Sequence, residues 1–285
     1  MMTAPRPKLT ICCHRLIGFG QAGVFCAERG GTVFLDTLRM ALQPIVDLRS
    51  GRVIGHEALV RGPAGSLWEA PDDISRIARH SNQSRQLEET CKRLAMAAGR
   101  RALAEDQTLF MNVDLRYDVW PRDKEGNEVH WDRLAIEVSE KREVLGHPRA
   151  LERIRKWQEA GHQIVLDDYG TGHSSLGTVL AVEPDLIKVD RYLVAGVDTD
   201  AKRQIAVAAI IDLMAKLGIG VIMEGIETED ELLVLQHLGA RYGQGFLLGR
   251  PAPRPTTSPS PPVLKCLRKG TGPARRFEKS GSPAG

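Results

Sequence analysis

Leu186-Ile-Lys-Val-Asp190, then Ile205, Ala209, Leu213 and Leu217, then Gly220-Val-Ile-Met-Glu224 form the stretch whose reading decides the fold. A short apolar run reads as a buried strand, a stripe repeating every four residues reads as a helix, and a second apolar run returns the chain to the sheet. Asp200 is placed to cap that helix and Gly218 to stop it. The same alternation extends in both directions. Apolar runs recur at Thr108–Val113, Leu134–Val138, Gln163–Asp168 and Arg241–Leu247. Helical spacing recurs at Ile74-Ile77-Ala78, at Leu87-Cys91-Leu94-Ala95-Ala98, at Leu151-Ile154-Trp157 and at Leu232-Leu235-Leu238, with Thr228 as a further cap and Gly161 and Gly239 as further stops. Upstream, Ala41–Val46 and Arg52–Leu59 flank Asp47-Leu-Arg-Ser-Gly51, a turn-rich connection that suits a hairpin. About eight strands alternating with helices over roughly 200 residues are the pattern of an α/β chain folded as a (β/α)8 barrel. A doubly wound open sheet is the alternative, although no Gly-x-Gly-x-x-Gly follows the first strand.

Composition limits the function classes. The 285 residues are 42% hydrophobic and 26% charged, as in an ordinary globular protein. No run approaches the roughly 20 apolar residues of a membrane-spanning helix, and a cytoplasmic protein is expected. The 5 cysteines are odd in number and irregularly spaced, which argues against a disulfide framework. The formal charge of +3 is misleading, because Arg254, Lys265, Arg268, Lys269, Arg275, Arg276 and Lys279 oppose only Glu278 after Pro251. The preceding chain is net acidic, so neither DNA nor RNA is an expected partner. Residues 1–36 read as a poorly determined leader, 37–251 as the organised domain, and 252–285 as a Pro-rich basic tail, largely disordered.

The chemistry lies at the strand ends. Glu57, Asn112, Glu137, Asp167 with Asp168, Lys188, Glu224 and Gln244 each sit in or at the end of a different apolar run. In a barrel those ends converge on one mouth. A lone polar residue ending a strand is ordinarily a turn or a cap, but that reading would have to hold independently at nearly every strand. So many carboxylates need compensation, and an all-oxygen donor set favours Mg²⁺ or Mn²⁺ over zinc. One carboxylate of Asp167-Asp168 could bridge two such ions. Lys188 and Asp190 share a strand face, which suits either a site role or a structural salt bridge. Glu224, ending a strand, is preferred over Glu227 as the inward group.

These residues fall in ordered motifs: Gln43-Pro-Ile-Val46, Glu57-Ala-Leu-Val-Arg61, Phe110-Met-Asn-Val113, Glu137-Val-Ser-Glu140, Asp167–Leu176, Leu186-Ile-Lys-Val-Asp190, Glu224-Gly-Ile-Glu-Thr228 and Gln244–Pro251. In these motifs the chain resembles the EAL domain family, the cyclic di-GMP phosphodiesterases of bacterial second-messenger signalling, from Thr37 to Pro251. The resemblance implies a TIM-type barrel with an antiparallel first strand and hydrolysis of cyclic di-GMP to linear pGpG. It implies two Mg²⁺ or Mn²⁺ ions, one held by Glu57, Asn112, Glu137 and Asp167, the other by Asp167, Asp168 and Glu224. Lys188 would position or help deprotonate the attacking water, and Gln244 would hydrogen-bond at metal-bound water. Arg61 and the backbone at Leu59 and Val60 would face a phosphate of the dinucleotide, with Gln43 nearby. Glu140 would anchor the loop at 169–176, and Asp190 and Glu227 would be supporting acids. A homodimer through the face that follows Asp190 is also implied.

The chain departs from the family at His173, Ser139 and Met223, and Pro253, Pro255, Pro259, Pro261 and Pro262 forbid a regular last helix, leaving Val263–Lys269 as a short substitute. The alternative function is a non-catalytic EAL protein that binds the dinucleotide or a protein partner. An enolase-like reading, with Lys188 as base, suits adjacent Asp167 and Asp168 less well than a two-metal phosphoryl site does.

Overall fold

The computed structural model describes residues 11–12, 15–16 and 33–270, except 118, 123–124, 126–130, 140–143, 145–147 and 172–175. Eight strands close into a barrel: β1 (Arg39–Asp47), β2 (Val53–Arg61), β3 (Thr108–Asn112), β4 (Leu134–Ser139), β5 (Gln163–Tyr169), β6 (Leu186–Val189), β7 (Gly220–Met223) and β8 (Tyr242–Gly243). Neighbours along the chain pair in order and β8 closes on β1. β1 runs antiparallel to both β2 and β8, and every other pair is parallel. The (β/α)8 expectation with its antiparallel first strand therefore holds. The expected hairpin is the β1–β2 turn, where Asp47 Oδ1 accepts the amides of Arg49 at 3.0 Å and Ser50 at 2.9 Å, and Gly51 supplies a φ of +74°.

Around the barrel lie α1 (Val33–Asp36), α2 (Pro71–His80), α3 (Ser84–Ala102), α4 (Pro148–Glu159), α5 (Leu176–Val182), α6 (Arg191–Val194), α7 (Ala201–Lys216), α8 (Glu229–His237) and α9 (Pro261–Gly270). Asp200 caps α7 through the amides of Lys202 and Arg203, and Thr228 caps α8 in a capping box with Glu231. Gly161, Gly218 and Gly239 follow helices in left-handed conformations, as their positions predict.

Period-two alternation makes two kinds of core. Inward, Ile45, Phe110, Ala135, Val165, Leu186 and Ile222 fill one layer of the barrel. Outward, Leu42, Leu109, Ile136, Ile164, Leu166, Ile187 and Val221 meet the helices. Gly55 is required where β2 passes β3, since a Cβ there would lie 2.3 Å from the Thr108 carbonyl oxygen and 2.8 Å from the Phe110 ring.

Three expectations are corrected. The prolines after residue 251 do not prevent a last helix, because Pro261 and Pro262 occupy the first positions of α9, where no intrahelical N–H bond is lost. Val263, Cys266 and Leu267 of α9 are buried, and Gln236 of α8 donates to the Leu267 carbonyl at 3.0 Å. The chain between is folded too: Ala252 bridges Leu42, and His56 Nε2 lies 3.0 Å from the Thr256 carbonyl. Only residues 271–285 of the expected tail lie outside the described residues. Within the expected leader, α1 begins at Val33, and Leu35 joins Leu38, Ile74, Ala78 and Leu87 in a satellite core, while Ile11–Cys12 pairs with Arg15–Leu16. The run Arg241–Leu247 yields a strand only at Tyr242–Gly243. The spacing that marks α7 is borne out by the helix, and its stripe faces outward: Ile205 is 69% exposed, whereas Val207 and Met214 are buried.

Candidate active site

One step along each strand from the apolar layer, the inward positions become polar. Phe110 is followed at that spacing by Asn112, Ala135 by Glu137, Val165 by Asp167, Leu186 by Lys188, Ile222 by Glu224 and Tyr242 by Gln244. On antiparallel β1 the order reverses, and Gln43 precedes Ile45. Glu57 stands opposite Gln43 in the β1–β2 ladder. Strand period alone thus gathers eight polar side chains at one end of the barrel.

They close on Lys188. Its Nζ is buried and lies 2.8 Å from Glu224 Oε1, 3.0 Å from Glu57 Oε2, 3.0 Å from Glu137 Oε1 and 3.7 Å from Asp167 Oδ1. Asn112 Nδ2 donates to Glu57 Oε1 at 2.8 Å and to Glu137 Oε2 at 2.9 Å, fastening the two carboxylates together. Gln244 Nε2 donates to Glu57 Oε2 at 2.7 Å and to Gln43 Oε1 at 3.1 Å, and Gln43 in turn donates to the Gly249 carbonyl at 3.1 Å.

Asp168 reaches the same mouth as Asp167 because the strand breaks its alternation. Leu166 pairs with Ile187 but Tyr169 with Val189, so β5 carries one extra residue there. Asp168 takes up the bulge at φ +64°, and its amide donates to Asp167 Oδ1 at 2.9 Å. Ser139 Oγ donates to Asp168 Oδ2 at 3.0 Å. That contact is a site role that the sequence reading missed. The signal was present, since Ser139 lies two residues beyond Glu137 and so on the same face.

The charges are strongly coupled. Burial pushes the Glu57 carboxyl up, but Lys188 and the bonds from Gln244 and Asn112 outweigh it and hold the group below its usual range. Burial and the Glu57 charge push Glu137 well up. Burial also raises Asp167 despite Lys188, and raises Glu224 to about 8. Burial opposes charge on Lys188, yet Asp167, Glu137, Glu224 and Glu57 together drive its pKa well above the ordinary value.

Not every expected residue joins. Asp190 turns away from Lys188 to cap α6, accepting the Tyr192 amide at 2.7 Å, so the two form no salt bridge. Glu227 pairs with Arg191 at 2.5 Å, outside the Lys188 cluster. Arg61, inward by strand parity, donates to its own neighbour's carbonyl at Val60 at 2.9 Å. Glu140 and His173 lie outside the described residues. A cavity of about 420 Å³ borders the cluster between α2, α3 and the rim of β2–β4, lined in part by Leu59, Val60, Asn112, Ser139 and Asp168.

The donor set fits hard divalent cations: carboxylate and amide oxygens, with buried Gln244 Oε1 accepting no hydrogen bond. Among the described residues no three acidic, His or Cys side chains gather tightly enough to hold a metal ion by themselves, for here the carboxylates surround the Lys188 ammonium.

Comparison with known proteins agrees with this architecture. The Escherichia coli protein PdeB, named a probable cyclic di-GMP phosphodiesterase, is 29% identical over 222 residues, which cover 74% of this chain and 42% of PdeB. The chain thus spans less than half the length of that curated relative. Among solved structures, the calcium/cyclic di-GMP complex of Klebsiella pneumoniae BlrP1 is similar with a TM-score of 0.66 and 27% identity, over 79% of this chain and 58% of that one. Its manganese/cyclic di-GMP complex at pH 6 gives 0.65 and 28%, over 76% and 56%. The EAL domain family profile matches residues 33–251, and the chain belongs to the EAL domain family.

Proposed function

We propose that this chain hydrolyses cyclic di-GMP to linear pGpG with two divalent ions, Mg²⁺ or Mn²⁺. The observation that carries the reading is the closure of Glu57, Glu137, Asp167 and Glu224 on Lys188 at the mouth of an EAL barrel. The cyclic di-GMP complexes of BlrP1 with calcium and with manganese support the substrate and the use of divalent metal.

In this reading Glu57, Asn112, Glu137 and Asp167 would hold one ion, and Asp167, Asp168 and Glu224 would hold the other. When bound, the pair supplies Lewis-acid polarisation of the phosphoryl oxygens and a water acidic enough to attack at neutral pH. The protein's own groups do the rest. Lys188 orients the attacking water and balances the surrounding carboxylates. Gln244, pinned between Glu57 and Gln43, presents its amide to the same water. Arg61 and the backbone at Leu59 and Val60 hold a phosphate of the dinucleotide, with the neighbouring cavity open to the rest of it. Glu227, away from the cluster, supports through its ion pair with Arg191.

The test is incubation of the purified protein with cyclic di-GMP and Mg²⁺ or Mn²⁺, followed by chromatography of the nucleotides. Metal-dependent pGpG, lost with chelator and in Glu57→Ala, is the expected result. Intact but bound dinucleotide would overturn hydrolysis and leave the receptor reading.

A homodimer and a cytoplasmic location complete the proposal. Ile205 and Leu213 on α7, Leu217 at its C-cap, and Leu176 and Leu180 on α5 are exposed apolar side chains suited to contact with a second copy. Light scattering of Ile205→Glu should show monomer where the parent is dimeric. Among the described residues no helix is long and apolar enough to cross a membrane, which fits a cytoplasmic enzyme.

A further inference from the structure

α3 carries a buried ion pair that the proposed chemistry does not use. Lys92, 1% exposed, places Nζ 3.1 Å from Glu88 Oε1, and Glu88 is itself largely buried. Both partners also hold the segment that follows β3. Glu88 Oε1 accepts the Asp114 amide at 3.0 Å, and Lys92 Nζ donates to the Val119 carbonyl at 2.8 Å. Lys92 further lies 5.0 Å from the centre of the Trp120 ring.

Asp114 is two residues past Asn112, the side chain that fastens Glu57 to Glu137. The amide between them, at Val113, donates to the Glu137 carbonyl at 2.9 Å and ends the β3–β4 ladder. The two amides after Asn112 are therefore fixed in succession, one by the sheet and one by Glu88. A charged acceptor makes a strong bond to an amide, and a buried carboxylate keeps its charge there only with a cation beside it.

We infer that Glu88 is a positioning residue for Asn112, acting through the Asp114 amide with Lys92 as its counter-ion, and so sets the affinity of the site for its divalent ion. The inference rests on the reading of Asn112 as a metal ligand. Removal of an outer group that orients a ligand ordinarily costs about 10- to 100-fold in metal affinity.

The experiment is calorimetric titration of the full chain with Mn²⁺ alone, beside thermal unfolding of the same samples. Glu88→Ala removes the acceptor and should weaken Mn²⁺ binding about 10-fold or more. Glu88→Gln keeps an oxygen for the Asp114 amide but leaves Lys92 without a counter-charge, so it should lower Tm while Mn²⁺ binding stays near the parent's. A general structural role would move Tm and affinity together. Equal Mn²⁺ affinity in the two variants overturns the inference, as does a parent protein that binds no Mn²⁺. A parent that binds Mn²⁺ but forms no pGpG overturns the phosphodiesterase reading and leaves this inference standing.

Discussion

Lys188 Nζ meets Glu57 Oε2 at 3.0 Å across the barrel interior, joining β6 to β2 through a pair with almost no exposure to water. Three further carboxylates lean on the same ammonium, so its removal leaves buried acids with no internal cation. Lys188→Met should lower stability by about 3 kcal/mol, the low end for a broken buried pair, since burial already favours the neutral forms of Glu137 and Glu224. Urea unfolding at pH 7 checks this, and an unchanged midpoint would show that the carboxylates do not depend on Lys188. Glu57→Gln keeps the shape and should fold, while activity falls beyond the roughly 100-fold ceiling typical of outer-sphere changes.

Asp168 sits at φ +64°, a conformation that costs most L residues about 1–2 kcal/mol and glycine little. Asp168→Gly should therefore stay within about 1 kcal/mol of the parent, and Asp168→Val should lose about 1–2 kcal/mol more than Gly. Both should be inactive. Thermal unfolding of the pair separates backbone strain from lost chemistry, and equal stability of Gly and Val would remove the strain argument.

Strand-end chemistry was legible because period two is a local property. Glu57, Asn112, Glu137, Lys188, Glu224 and Gln244 needed only a strand and a direction to be placed together. The bulge that brings Asp168 beside Asp167 was not legible, since an extra residue shows only once β5 is set against β6. Asp190 misled for another reason: it is the N-cap of α6, and its side chain is taken by the Tyr192 amide. The outward stripe on α7 shows that spacing identifies a helix without saying which side is covered. There the buried face is defined by Val207 and Met214, seven residues apart. The prolines before α9 were read as breakers, whereas two of them are helix starters once the segment is anchored against β1 and β2.

α9 should carry measurable stability. Leu267 is 2% exposed against α8, so Leu267→Ala should cost about 2–4 kcal/mol. Exposed Lys269→Ala on the same helix should change stability by less than about 0.5 kcal/mol. Chemical denaturation of the two variants decides the matter, and a Leu267→Ala protein as stable as its control would mean that α9 is not docked on the barrel.

Glu231 gives the fold an acid limb that can be read apart from the Lys188 cluster. Burial pushes its carboxyl up, but the amides of Glu227 at 2.9 Å, Gly196 at 3.0 Å and Thr228 at 3.1 Å outweigh that and hold it below its ordinary value of 4.5. The unfolded chain therefore takes up this proton first, so the stabilisation is present above the ordinary value and fades as pH falls through the folded one. Glu231→Gln should cost about 1 kcal/mol at pH 7, the scale of a lost cap. The gap between parent and variant should close as pH is lowered below the ordinary carboxyl value of 4.5, first as the unfolded chain and then as the folded one takes up the proton. Unfolding free energies at several pH values would show this convergence. A gap that stays constant with pH would mean that the charge on Glu231 contributes nothing and that its hydrogen bonds act through shape alone.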